Sequence, residues 1–204
     1  MLHTHTEEKR MPFWKKVLFS QTLSGKNPAH KIAYIAVTVA LVVLANTFFE
    51  IKFADIQFSL TLCISSLAGI ILGPVFGFVA CFLGDLVGFL YHNAGFAYMP
   101  WIGIAMGMTA FIAGFVMGGF RLPCKGGLYI KLAIVCLLVF VVCTVGINTT
   151  AFWLLYAPDT PYFTYLFARI FVGGQIWNSL VNYALLYVAV PLLNRIKPLR
   201  LHIA

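Results

Sequence analysis

Residues 58–91 read FSLTLCISSLAGIILGPVFGFVACFLGDLVGFLY. The stretch holds no Lys or Arg, a single acid at Asp85, and one proline, Pro74, directly after Gly73. Proline lacks an amide N–H and its ring clashes with the preceding helical turn. The stretch therefore divides into two apolar helices, 58–72 and 75–91, joined by a tight turn. Such helices do not fit a water-soluble core. Of the 204 residues 61% are hydrophobic and 10% charged, and the mean hydropathy is +0.92, whereas soluble domains carry roughly 25% charged residues.

Working outward, further apolar runs occupy 29–49, 100–120, 128–155 and 162–193, each near or above the ~20 residues that cross a hydrocarbon core. Asn27 followed by Pro28 reads as an N-cap with proline at the first helical position, so the first span starts there. The predicted fold class is an all-α membrane protein, a six-transmembrane-helix bundle.

Charge sets its orientation. Of the 14 Lys and Arg residues, all but Lys52 and Arg169 fall into three clusters. They are Lys9, Arg10, Lys15, Lys16, Lys26 and Lys31; Arg121, Lys125 and Lys131; and Arg195, Lys197 and Arg200. Short basic loops stay in the cytoplasm because their translocation is disfavoured. An even number of predicted spans separates each cluster from the next, so the N and C termini are expected to be cytoplasmic. The connections near 50–55, 92–99 and 157–161 are then external, and the turn at Gly73–Pro74 is cytoplasmic. The chain reads as a cytoplasmic basic, amphipathic segment at 1–28, a six-helix domain at 29–195 and a cytoplasmic basic tail at 196–204. Within the first segment, Pro12, Phe13, Trp14, Val17, Leu18 and Phe19 alternate with Lys15 and Lys16, as in a short helix lying on the membrane surface. A polar lead of about thirty residues is too long for a cleaved signal peptide.

The net charge of +8 is accounted for by anionic lipid headgroups beside the spans, and no nucleic-acid partner is implied. The five cysteines, Cys63, Cys81, Cys124, Cys136 and Cys143, lack disulfide-framework or zinc spacing and read as buried thiols that pack as small apolar groups. Glycines recur four apart at Gly69, Gly73 and Gly77, at Gly84 and Gly88, at Gly103 and Gly107, and at Gly114 and Gly118. In lipid this spacing lets helix backbones approach closely, and internal packing is expected of it.

The chemistry-bearing residues are few. There is no GxxxxGK[ST] phosphate loop, no HExxH and no GxSxG, and two of the six acids, Glu7 and Glu8, lie in the N-terminal segment. No catalytic residue, metal site or enzyme activity is expected. Two ionisable residues, Asp85 and Arg169, fall inside predicted spans. A charge at that depth costs on the order of 3 kcal/mol or more, so each faces a partner, a cavity or a ligand. Asp85 and Arg169 read either as a helix-locking ion pair or as the walls of a pocket open to the outside, and the pocket is the expectation taken here. The connection at 91–101 interleaves Tyr91, His92, Asn93, Phe96, Tyr98 and Trp101. Aromatic faces alternating with hydrogen-bonding groups suit a planar heteroaromatic ligand, and equally an interfacial aromatic belt. Asn148, Trp153, Tyr156 and Asn178 add polar candidates from the last two spans, although an amide there also serves to tie two helices together. Ala33, Ala36 and Ala40 leave a smooth strip on the first span for another helix to cross.

Together with Leu-Gly-Pro-Val-Phe-Gly at 72–77, Gly-Asp-Leu-Val-Gly at 84–88 and Gly-Phe-Ala-Tyr-Met-Pro at 95–100, these features resemble the substrate-binding S components of energy-coupling factor (ECF) vitamin transporters. The resemblance covers about 30–195 and is greatest to the folate-type S components. Where those commonly read Pro-Gly-Phe-Thr, this chain has Pro100, Trp101, Ile102 and Gly103. The resemblance implies a multi-pass protein of the bacterial cell membrane that binds a vitamin from outside, with folate or a related pterin first. Cobalamin, riboflavin, pantothenate, niacin, pyridoxine and queuosine precursors are the ligands of other members. It implies no catalytic cofactor. It also implies a T transmembrane subunit met through Ala36 and Ala40, and two ATPase subunits that alone use ATP. Asp85 would pair with adjacent pterin N–H groups, and Arg169 or Lys52 would hold the anionic glutamate tail. The remaining classes are an integral membrane enzyme using Asp85 and His92, and a stand-alone secondary transporter, for which the sequence offers neither an inverted repeat nor a broken helix at the midplane.

Overall fold

Lys31 donates its amide to the Asn27 carbonyl at 3.2 Å, and helix α1, Pro28–Phe48, begins at the proline, as the sequence implies. The computed structural model describes residues 27–48, 50–53, 56–91, 97–119 and 126–195, with the backbone only for 46–48, 50–53 and 56–58. After α1 come strands β1, Glu50–Phe53, and β2, Ile56–Ser59, then helices α2, Thr61–Leu72, α3, Pro74–Tyr91, and α4, Pro100–Gly119. Helix α5, Gly127–Tyr156, is followed by α6, Tyr162–Val172, and α7, Gln175–Arg195. Five of these, α1, α3, α4, α5 and α7, are long and apolar enough to cross a membrane, and α2 and α6 are shorter apolar helices.

Two boundaries differ from the sequence reading. The connection at 50–55 and the start of the predicted second span form an antiparallel hairpin with Glu50 opposite Ser59 and Phe53 opposite Ile56. Ile51, Phe53, Ile56 and Phe58 alternate with polar residues, a period of two that suits a strand, and α2 therefore starts only at Thr61. The predicted sixth span is broken. Gly174 has φ of 69°, a left-handed conformation that side chains disfavour, and it separates α6 from α7. The single sixth span predicted over 162–193 is corrected there to two helices. Lys131, counted in the middle basic cluster and inside the span predicted over 128–155, is buried on α5 at 2% exposure, within a helix that begins at Gly127.

Gly73 has φ of 88° and its amide donates to the Gly69 carbonyl at 2.9 Å, closing α2 before Pro74 opens α3. The spaced glycines pack inside the bundle. A Cβ on Gly69 would land on the Ala110 carbonyl of α4, one on Gly84 would lie 2.6 Å from Val42 of α1, and one on Gly107 would lie 2.8 Å from the Phe78 ring. Close approach of this kind supplies the dispersion contacts that hold helices together in lipid. A larger apolar cluster, including Ala113, Val116, Leu132, Val135, Val139 and Leu186, joins α4, α5 and α7. Cys63, Cys81, Cys136 and Cys143 are buried free thiols, whereas Cys124 and the basic segments 1–26 and 196–204 lie outside the described residues.

Helix α5 widens into a π-helix over Val139–Thr149, and α6 does so over Ala168–Val172. The first of these segments is rich in β-branched residues, which crowd an α-helical turn. Thr149 and Thr150 donate their hydroxyls to carbonyls five residues back, at Thr144 (2.8 Å) and Val145 (3.4 Å). π segments frequently mark functional sites, and both of these face the same cavity.

Candidate functional site

The cavity has a volume of about 350 Å³ and draws its walls from seven elements. The end of β2 and the start of α2 contribute Ser59 and Thr61, and α3 contributes Asp85, Gly88 and Phe89. Helix α4 adds Ile102, Met106 and Thr109, and α5 lines up Thr144 and Asn148 from its wide segment and Phe152 just beyond it, at steps of four. The α6–α7 break brings Arg169, Gln175 and Asn178. Carboxylate, guanidinium, amides and hydroxyls thus converge on one void with Phe89, Phe152, Ile102 and Met106 as apolar surfaces, the composition of a small-molecule site.

Asp85 is 8% exposed, and its Oδ2 accepts a hydrogen bond from the Tyr98 hydroxyl at 3.2 Å. Gly103 makes room for this pair, since a Cβ there would lie 2.9 Å from both Asp85 Oδ2 and the Tyr98 hydroxyl. Tyr98 sits in the connection before α4, its ring 5.1 Å from that of Phe89. Burial, and then the neighbouring Asp85 carboxylate, push its phenol up to about 12, so it remains a donor at neutral pH. Also on the cavity lining, the Arg169 guanidinium lies 4.1 Å from the Phe152 ring centroid. Arg169 Nε and Asn148 Oδ1 are buried without a hydrogen-bond partner among the described residues. Unanswered buried polar atoms at a cavity wall are costly in isolation and are what a polar ligand satisfies.

The remaining candidates are placed as follows. Trp101 sets its ring edge-on to Phe152 at 6.0 Å and is not among the residues that line the cavity. Trp153 donates Nε1 to the Thr160 carbonyl at 2.7 Å and meets the Tyr162 ring at 5.3 Å, pinning the α5–α6 turn. Tyr156 reaches Met99 Sδ at 3.9 Å. Tyr91 is 76% exposed and does not line the cavity. His92, Asn93, Phe96 and the side chain of Lys52 lie outside the described residues, the Lys52 backbone being paired with Gln57 in the hairpin. Ala36 and Ala40 lie on the exposed face of α1, opposite the Val42 and Ala45 side that packs inward.

Several residues escaped the sequence reading. Phe152 and Gln175 line the cavity, and Asn182 is buried at 1% exposure. Its Nδ2 donates to the Ser59 carbonyl at 2.6 Å and the Asn178 carbonyl at 2.8 Å, and its Oδ1 accepts the Cys63 amide at 2.9 Å. The four-residue spacing of Asn178 and Asn182 within an apolar run was the available signal. Among the described residues no group of three or more His, Cys, Asp or Glu is placed to hold a metal ion.

No match to a curated protein sequence was found. A solved structure of FolT bound with folic acid is similar in fold, with a TM-score of 0.61 at 22% identity, over 76% of this chain and 89% of that one. The family model described as ECF-type riboflavin transporter, S component, matches residues 26–198. That match spans every described helix and the whole cavity, and the chain belongs to the ECF-type riboflavin transporter S component family.

Proposed function

We propose that this chain is the vitamin-capture subunit of an ECF importer in the bacterial cell membrane, and that its vitamin is folate or a related pterin. The observation that carries the reading is that Asp85 and Arg169 line one and the same cavity. A pterin offers adjacent N–H donors, which a carboxylate accepts as a pair, and the Phe89 and Phe152 rings offer faces for its bicycle. The glutamate tail of folate carries carboxylates that suit the guanidinium, whose buried Nε lacks an acceptor among the described residues. The FolT structure with folic acid supports a ligand of this class in this fold.

Six crossings follow if α2 counts as a short span and the broken α6–α7 pair as one. Both termini are then cytoplasmic and the cavity opens outward, at the end bearing the hairpin and the 97–99 connection. Ala36 and Ala40 offer a smooth strip to a T subunit, and two ATPase partners supply the energy. Reporter fusions at the termini and in the 157–161 turn test the orientation. Co-purification of ATPase subunits with the wild-type chain, lost when Ala36 and Ala40 are replaced by Leu, tests the partnership.

Riboflavin is the second reading, favoured by the family match. The pyrimidine edge of its ring has one N–H flanked by two carbonyls, which suits the amide of Asn148 better than a carboxylate. Equilibrium titration of the purified chain with each vitamin separates the two. Submicromolar folate binding that Asp85→Asn abolishes supports the pterin. Folate binding of micromolar strength or weaker, unchanged by Asp85→Asn, removes it.

A further inference from the structure

The amide of Asn178 has its orientation dictated by its neighbours. Its Oδ1 accepts the Ser59 backbone amide at 3.0 Å and Asn182 Nδ2 at 3.2 Å. An N–H of the main chain only donates, so the atom facing Ser59 is the oxygen, and the usual ambiguity of an amide flip is removed. The same logic holds for Asn182, whose Oδ1 faces the Cys63 amide while its Nδ2 faces two main-chain carbonyls. With its oxygen engaged twice, Asn178 has only its Nδ2 left for the cavity it lines. Among the described residues no acceptor takes that Nδ2, and it is not one of the fully enclosed unpaired atoms.

We infer that Asn178 is a specificity-determining, donor-only contact that reads an acceptor oxygen of the ligand, held in that sense by Asn182 and the Ser59 backbone. The assignment rests on the vitamin-capture reading and deepens it. It gives the cavity a polarity. The α3 wall offers the acceptor Asp85, while the α6–α7 wall offers the donors Arg169 and Asn178, so the ligand presents N–H groups at one end and carbonyl or carboxylate oxygens at the other. Asn182 touches no ligand and is a positioning residue.

The test compares wild type, Asn178→Asp and Asn178→Leu. Aspartate keeps an oxygen for the Ser59 and Asn182 donors and turns the cavity-facing donor into an acceptor, whereas leucine removes both functions. Each purified full-length protein is titrated with folate and with riboflavin, and its melting temperature without ligand is recorded. For the vitamin that the wild type binds, Asn178→Asp weakens affinity by about 10- to 100-fold, the worth of a hydrogen bond to a charged or well-placed acceptor. Its ligand-free melting stays near that of the wild type while that of Asn178→Leu falls. Wild-type affinity in Asn178→Asp overturns the assignment, as does a melting temperature as low as that of Asn178→Leu, which makes the amide structural only. A wild-type chain that binds neither vitamin sinks the vitamin reading itself, and the role of Asn178 with it.

Discussion

The guanidinium of Arg169 lies 4.1 Å from the centroid of the Phe152 ring, so a cation from the broken helix pair rests on an aromatic from the last turns of α5, just past its widened segment. The plane of the guanidinium is held by the ring, and its buried Nε is left as a donor at the cavity wall. Lysine retains the charge but loses the planar stack and the forked donors. Arg169→Lys is expected to weaken binding of an anionic vitamin by about 2 kcal/mol, and Phe152→Leu by about 1 kcal/mol, the scale of a partly desolvated cation–π contact. Isothermal titration of the three proteins with folate checks both. Equal affinity in wild type and Arg169→Lys means that the guanidinium does not touch the ligand.

The Tyr98 phenol donates to Asp85 Oδ2 and orients the carboxylate from outside the helices. Its raised pKa of about 12 means that the proton is kept, not lost, as pH rises through the usual tyrosine range near 10. Between about pH 7 and pH 9 vitamin affinity is therefore expected to be independent of this group. Tyr98→Phe leaves Asp85 one hydrogen bond short and is expected to weaken pterin binding by about 1 kcal/mol. A new decline of affinity with rising pH in that range, absent from Tyr98→Phe, points instead to a phenol that ionises early.

Asp85 and Arg169 were legible in the sequence because an ionisable residue inside an apolar run is costly and therefore rare. Gly73–Pro74 was legible because proline excludes helix continuation, and the structure turns there. The hairpin was not read, since four-residue strands are short beside the long apolar runs around them. The break at Gly174 was hidden because Gly173 and Gly174 leave the hydropathy of 162–193 intact. Asn182 and Phe152 carry no charge and match the composition of their helices. Their roles arise from contacts with Ser59, Cys63 and Arg169, distant in the chain, which no local pattern encodes.

Asn182 joins α7 to β2 and α2 through the Ser59 carbonyl and the Cys63 amide. Removing it leaves those main-chain groups without their partner in a buried setting, at about 1–3 kcal/mol for each unsatisfied group. Asn182→Ala is expected to lower stability by about 3 kcal/mol in total, read as a lower melting temperature in detergent. Saturating vitamin should recover part of the loss, because a ligand that binds only the folded state stabilises it. An unchanged melting temperature contradicts the clamp.

The close approach of α2 to α4 at Gly69 gives the sharpest stability test. A Cβ on Gly69 would occupy the position of the Ala110 carbonyl, and Gly77 and Gly114 crowd the same crossing, with Gly114 facing the Gly69 carbonyl and the Pro74 nitrogen. Main chain cannot rotate aside as a flexible side chain does, so Gly69→Ala must push α2 and α4 apart and forfeit dispersion contacts along the crossing. A loss of about 3 kcal/mol or more is expected, in keeping with severe overpacking. Gly119, at the end of α4, would place its Cβ in open space, with nothing within 4 Å. Gly119→Ala is therefore expected to be neutral or to stabilise by up to about 1 kcal/mol through helix propensity alone. Thermal unfolding of the two variants side by side separates packing from propensity. If both alanines behave alike, α2 and α4 do not meet at Gly69, and the cavity walls that this crossing positions are arranged differently.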